Sequence, residues 1–279
     1  MKKAPLFLCI AMLAIQAQTS FAHGDLHERI LLISEEIESA PDNSTLYFER
    51  GKLYFYHEQY LLSVDDLDKA GELGYNDFLH DLFYAKAYQK LNNNTKAIFY
   101  TDKILSYDSK NVNAIKIKAE VLFKQKEFET SALFFQQLIN KSKRTLPENY
   151  TQAAKAYHNC TGKKMRMQCY VVLDKGINTL GELPTLLKEK IRYYKKDKLF
   201  PEALLVQKEI IKNSQRKETA YFEAALLAIA MKDSAVAKQY LKQSENALFA
   251  LPKRIQLNKS MQSLLASISK QKNLLTNKH

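Results

Sequence analysis

Tryptophan is absent from the 279 residues, and the chain has only 7 glycines, 6 prolines and 3 cysteines. So few turn-forming residues exclude a collagen-like chain and argue against a sheet protein with many tight turns. With leucine, lysine, alanine and glutamate abundant, the balance favours helices. Catalytic motifs are missing as well: there is no glycine-rich phosphate loop, no serine-centred elbow and no zinc-protease helix. Asp65, Asp66 and Asp68 face several directions on one helix and make no carboxylate pair. No cofactor and no enzymatic activity are therefore expected.

Long apolar runs are also lacking, with one exception at the start. Lys2 and Lys3 precede an apolar stretch over 6–15, and Ser20-Phe21-Ala22 offers small residues at the −3 and −1 positions of a cleavage site. The stretch is short of the roughly 20 residues that a membrane span needs. Residues 1–22 therefore read as a secretory signal peptide, and Cys9, inside the apolar stretch, is a poor lipoprotein cysteine. The mature chain is expected to begin at His23, to be exported to the periplasm or beyond, and to have no transmembrane segment.

The formal net charge is +12, carried by 42 basic against 30 acidic residues. Lysine dominates arginine throughout, and lysine is a flexible point charge rather than a bidentate phosphate reader. An exported, lysine-rich chain is a poor nucleic-acid binder, so no nucleic-acid partner is expected. Diffuse attraction to acidic peptides, anionic lipid or cell-wall polymer suits it better.

What is present is a 34-residue periodicity. Copies starting at Ser44, Phe78, Val112, Pro147, Pro184 and Glu218 bring a small residue to position 8: Gly51, Ala85, Ala119, Ala154 and Ala225, with Ile191 the exception. Position 20 is small in all six: Ser63, Ala97, Ser131, Cys169, Ala203 and Ala237. Each copy carries two apolar-periodic stretches around a short polar turn, as in Tyr47-Gly51-Tyr54-Phe55 followed by Tyr60-Val64-Leu67-Ala70. Small residues at both positions allow two antiparallel helices to touch. The fourth copy is about three residues longer, a surplus expected in Thr161 to Gln168 between its helices.

Position 11 is aromatic at Tyr54, Tyr88, Tyr157 and Tyr194, with Leu122 and Ala228 as departures. As a set, the pattern over 44–251 resembles the tetratricopeptide repeat. The resemblance implies an all-α, right-handed superhelical solenoid of antiparallel helix pairs, about 14 helices in six repeats (44–77, 78–111, 112–145, 147–183, 184–217, 218–251). A capping helix is expected in 23–43, where Asp25 and Glu28 form a capping box before Leu26, Ile30, Ile33 and Ile37. A second cover is expected in 252–279, with Ile255, Met261, Leu264, Leu265 and Ile268 on one helix and the tail fraying from about Lys272.

The resemblance also implies that first helices line a concave groove through positions 2, 5, 9 and 12. That gives a mainly basic track with aromatic steps: Lys52, Phe55, Lys86, Lys116, Glu120, Phe123, Lys155, His158, Lys188, Arg192 and Lys195. Such a track suits an acidic, extended partner segment. The asparagines of the family's carboxylate-clamping members are missing at the matching places, so that activity is not carried over. Cys160 and Cys169 could pair as a disulfide in an oxidising compartment, or pack separately as thiols. His23, Asp25 and His27 could offer metal ligands at the mature N-terminus, although Asp25 already has a capping role. His57, His80 and His158, scattered across different copies, read most simply as helix-surface or turn residues. The favoured reading is a protein-binding scaffold. Its rivals are an envelope factor drawn to anionic peptidoglycan or lipid, and a metal-handling accessory protein.

Overall fold

The computed structural model describes residues 25–276; the expected signal peptide, Cys9 and His23 lie outside them. All regular structure among the described residues is helical. The chain divides into two compact units, one up to Lys143 and the other from Arg144.

The first unit opens with α1 (25–39). Three helix pairs follow: α2 (Ser44–Tyr56) with α3 (Tyr60–Glu72), α4 (Phe78–Lys90) with α5 (Asn94–Tyr107), and α6 (Val112–Lys124) with α7 (Phe128–Lys141). Ser44, Phe78 and Val112, which open the first three copies, are each the first residue of a helix. The starts are set by side-chain caps: Asn43, Asp77, Asn93 and Asn111 each accept a backbone N–H of the first turn. Within each pair the helices pack on each other, and α2 also packs on α4 and α4 on α6. Between pairs the core is built from Phe48, Leu67, Leu82, Phe83, Tyr84, Ile104 and Ile117.

The small positions meet as the spacing requires. A Cβ on Gly51 would lie 3.2 Å from the Ser63 carbonyl oxygen, so position 8 of α2 faces position 20 of α3. In the third copy the contact is a hydrogen bond, Ser131 Oγ donating to the Ala119 carbonyl at 2.8 Å. Arg50 ties three helices together. It donates to both carboxylate oxygens of Asp66, each at 2.8 Å, and to Ser34 Oγ of α1 at 3.1 Å.

The second unit contains α8 (Pro147–Asn159) with α9 (Lys163–Leu180), α10 (Pro184–Lys196) with α11 (Phe200–Asn213), and α12 (Glu218–Ala230) with α13 (Ser234–Phe249). Prolines open α8 and α10, where the missing N–H has no intrahelical partner to lose. The surplus of the fourth copy is not in its loop. Three residues separate α8 from α9, as in the other pairs, and α9 instead runs for 18 residues against 13 to 16 for the other second helices. An inserted triplet is close to one helical turn, so it lengthens the helix and leaves Cys169 facing inward.

Five of the six turns within the helix pairs share one conformation. Glu58, Asn92, Lys126, Lys198 and Lys232, all at position 15, have φ between 58° and 66°. In each, two backbone bonds close the helix end, as where Lys126 N–H reaches the Phe123 carbonyl at 3.1 Å and Glu127 N–H the Leu122 carbonyl at 3.0 Å. This is the Schellman end, built without its usual glycine. The fourth copy departs: Cys160 is extended and Gly162 precedes α9.

The C-terminal cover is two helices rather than one, α14 (Lys253–Gln256) and α15 (Lys259–Thr276). Ile255 falls in the first, and Asn258 between them caps the second by accepting from Met261 N at 2.9 Å. Met261, Leu264, Ile268 and Leu275 are buried, packing with Leu241 and Leu248 of α13. The tail does not fray at Lys272, which pairs with Glu245 at 2.5 Å while the helix continues to Thr276.

Candidate functional site

The first helices of each unit carry the side chains of the expected track, and the structure sorts them into separate groups. In the first unit, Phe55 meets Phe83 edge-on at 5.6 Å, and Lys86 Nζ lies 4.9 Å from the centre of the Phe83 ring. Burial lowers the Lys86 pKa below its ordinary 10.5. Lys52 pairs with Glu49 at 2.5 Å and sits over the Phe48 ring. On α6, Glu120 accepts from Gln89 Nε2 of α4 at 2.7 Å and faces Lys116 at 3.9 Å, so it is tied down within the face. Phe123 is half-buried against Phe128.

In the second unit Lys155 is exposed on α8. His158 is misplaced by the repeat register: it is buried, with Nε2 donating to Asp197 Oδ1 at 3.1 Å and its ring 4.4 Å from that of Tyr193. It therefore belongs to the core and not to a groove. Asp197 is a hub that the sequence did not single out. Its other partners are Arg166, on Oδ1, and the Tyr170 hydroxyl, which donates to Oδ2 at 2.6 Å. Burial disfavours the Asp197 carboxylate, but hydrogen bonds from Tyr170 and His158 and the charge of Arg166 outweigh it, so its pKa lies below 3.8. Burial also lowers the His158 pKa below 6.5, against the pull of Asp197. His80 is likewise no surface residue: it is buried and holds the Leu67 carbonyl at 2.8 Å.

Lys188, Arg192 and Lys195 are the members of the track that the structure brings together. They stand about one turn apart on α10 and edge a cleft of about 1080 Å³ among α10, α11 and α12. Leu187, Ile191, Ile210 and Ala220 supply its apolar part, and Lys196 and Arg216 add two further cations. Five basic residues thus face two acids, Glu182 and Glu223. Glu223 is 4.0 Å from Lys195, Arg192 is paired with Glu189 and Arg216 with Glu218, whereas Lys188 and Lys196 make no ion pair among the described residues. The size is that of a ligand-binding cleft. The only sequence signal for it was Ile191 itself, the large residue at a position otherwise small.

The disulfide expected between Cys160 and Cys169 is not formed; both are buried thiols. Cys160 Sγ points back along α8, 3.5 Å from the Ala156 carbonyl, while Cys169 fills the small position of the α8–α9 contact. Burial, with Asp197 adding to it, pushes the Cys169 pKa up to about 12, a thiol rather than a thiolate. Of the candidate metal ligands, Asp25 and His27 lie on α1, with the His27 ring 6.3 Å from that of His57. Among the described residues no group of three or more His, Cys, Asp or Glu could hold a metal ion. Nor is any helix among them long and apolar enough to cross a membrane.

The sequence matches no protein-family model, and no curated protein matches it. Solved structures do. The C-terminal part of a TPR repeat-containing protein from Cytophaga hutchinsonii superposes with a TM-score of 0.66 at 15% identity, over 90% of this chain and 98% of that one. A tetratricopeptide repeat protein from Parabacteroides merdae gives 0.53 at 12% identity, over 93% and 98%. The MamA protein gives 0.50 at 16% identity, over 58% and 86%.

Proposed function

From the tetratricopeptide-repeat fold, which this chain has, we propose a non-enzymatic scaffold that binds another protein through the inner faces of its first helices. The partner offers an acidic, extended segment. The observation that carries this reading is the clustering of Lys188, Arg192, Lys195 and Lys196 around an apolar cleft, with Lys86 and Phe83 making a smaller basic and aromatic pair in the first unit. Exposed cations beside aliphatic surface at the cleft, and the half-buried Lys86 beside Phe83, attract a carboxylate and reward the burial of its neighbours. The leader-like residues 1–22 support an exported compartment, the periplasm by preference.

A photo-crosslinking amino acid tests it. Placed at position 86 or 192, it should capture a discrete partner in the native envelope. Placed at position 99, where the exposed Phe99 faces outward on α5, it should capture none. Equal capture from both faces would remove the groove. Crosslinks to lipid or peptidoglycan alone would favour diffuse attachment by charge instead.

A further inference from the structure

The cleft between α10 and α12 has a cause in the repeat. In the other copies position 8 is Gly or Ala and the paired helices close over it. In the fifth copy the residue is Ile191, set against Ala203 of α11. A side chain with three more carbons than alanine cannot enter a contact built for a methyl group without moving a helix. The α10–α11 pair is accordingly the most loosely packed of the six. Whereas α2 packs on α4, α4 on α6 and α8 on α10, no comparable packing joins α10 to α12. Instead Gln207 of α11 spans to the Ala220 carbonyl at 2.8 Å, and the space above it is open.

We propose that Ile191 wedges this pair apart to create a specific subsite. It takes an aliphatic side chain of an extended peptide against Ile191, Leu187 and Ile210, while Lys188 and Lys196 hold a neighbouring carboxylate of the same peptide. The occupant follows from charge: Arg192, Lys195 and Arg216 are paired with Glu189, Glu223 and Glu218, and the two cations outside ion pairs, Lys188 and Lys196, edge the apolar surface. An acidic peptide without aliphatic residues leaves that surface wet, and an aliphatic peptide without acid leaves the cations unmatched. The subsite rests on the groove reading above and adds to it a location and a sequence preference.

The probe is a fluorescein-labelled decapeptide alternating Asp and Leu, with Asp→Lys and Leu→Ser versions, titrated by anisotropy into the mature chain. Both altered peptides should bind about tenfold weaker or worse. Ile191→Ala restores the small residue of the other copies, so it should keep or raise Tm while weakening the Asp–Leu peptide by about tenfold. Lys188→Glu with Lys196→Glu, both exposed, should do the same with the fold intact, whereas Lys238→Glu with Lys242→Glu, an equal change of charge at exposed positions of α13, should leave binding within about twofold. The subsite is overturned if Ile191→Ala and the Lys188/Lys196 pair bind as the wild type does, or if the Leu→Ser peptide binds as tightly as the parent. Equal loss in the Lys238/Lys242 variant would make the attraction diffuse and overturn the subsite. A wild-type dimer in sedimentation velocity that Ile191→Ala dissociates would give the cleft to a second copy. Failure of the decapeptide to bind at all sinks the subsite alone, since the scaffold reading stands or falls on the crosslinks from positions 86 and 192.

Discussion

Lys126 holds a left-handed backbone, φ 66°, at a position where its Cβ is in conflict with the chain and only the Schellman bonds keep it there. A left-handed residue with a Cβ costs roughly 1–2 kcal/mol, and glycine recovers most of it less the extra entropy of its unfolded chain. Lys126→Gly should therefore raise stability by about 0.5–1 kcal/mol, read as a higher urea midpoint with unchanged slope. The opposite sign is expected at Gly176 of α9, where an added Cβ would fall 2.8 Å from Tyr150 Cγ; Gly176→Ala should cost about 1–3 kcal/mol by the same measurement. The Asp197 hub gives a pH prediction. A histidine whose folded pKa is depressed takes up more protons unfolded, so stability falls as pH drops below the ordinary 6.5. Asp197, also depressed, supplies stability that is present above 3.8 and lost as pH falls through its folded value. Tm should thus decline from pH 7 to 5, and His158→Gln should flatten that part of the curve. An unaltered slope in the variant would assign the titration elsewhere.

At the scale of the element, helix starts were legible because caps and first-turn prolines are local: Asp77, Asn111, Pro147 and Pro184 act within their own first turn. The small positions were legible for the same reason, since each repeats the contact of its own pair. What the pattern hid was non-local or periodic in the wrong sense. An insertion of three residues is invisible as a turn of helix unless its phase is counted, hence the misassigned loop in the fourth copy. His158 sits in a groove register, yet Asp197, 39 residues later, draws it inward. Asn258 broke the expected cover helix because an asparagine cap works in either of two ways, ending one helix or starting another. That cover has a testable load. Truncation after Leu251 strips the partners of Leu241 and Leu248, so the shortened chain should bind a hydrophobic dye and melt at a lower temperature than the full one.

On the scale of the whole molecule, fold and binding draw on different information. Six imperfect copies, none convincing alone, add up to an all-helical repeat protein whose fold is shared with chains only 12–16% identical. Binding depends on how cations are distributed, and the chain's +12 alone could not say where. The structure ties down Lys52 and Lys116 with acids and leaves Lys188 and Lys196 outside ion pairs at the cleft of the second unit. Peptide affinity should therefore fall with added salt but not vanish, because exposed charges are screened over about 8–10 Å while aliphatic contacts are not. Complete loss in moderate salt would mean that charge does everything.

The wedge at Ile191 also bears on how such a protein changes over time. Each helix pair in a repeat array answers chiefly to its neighbours, so loosening one contact need not unsettle distant ones. A single enlarged residue at an otherwise small position is then an inexpensive evolutionary step, taken without redesigning the turn or caps of its copy. Position 8 of any other copy is the same kind of latent opening. Isoleucine at Ala85 or Ala225 would be the experiment by which new pockets, with rims of their own charge, are drawn from the same scaffold.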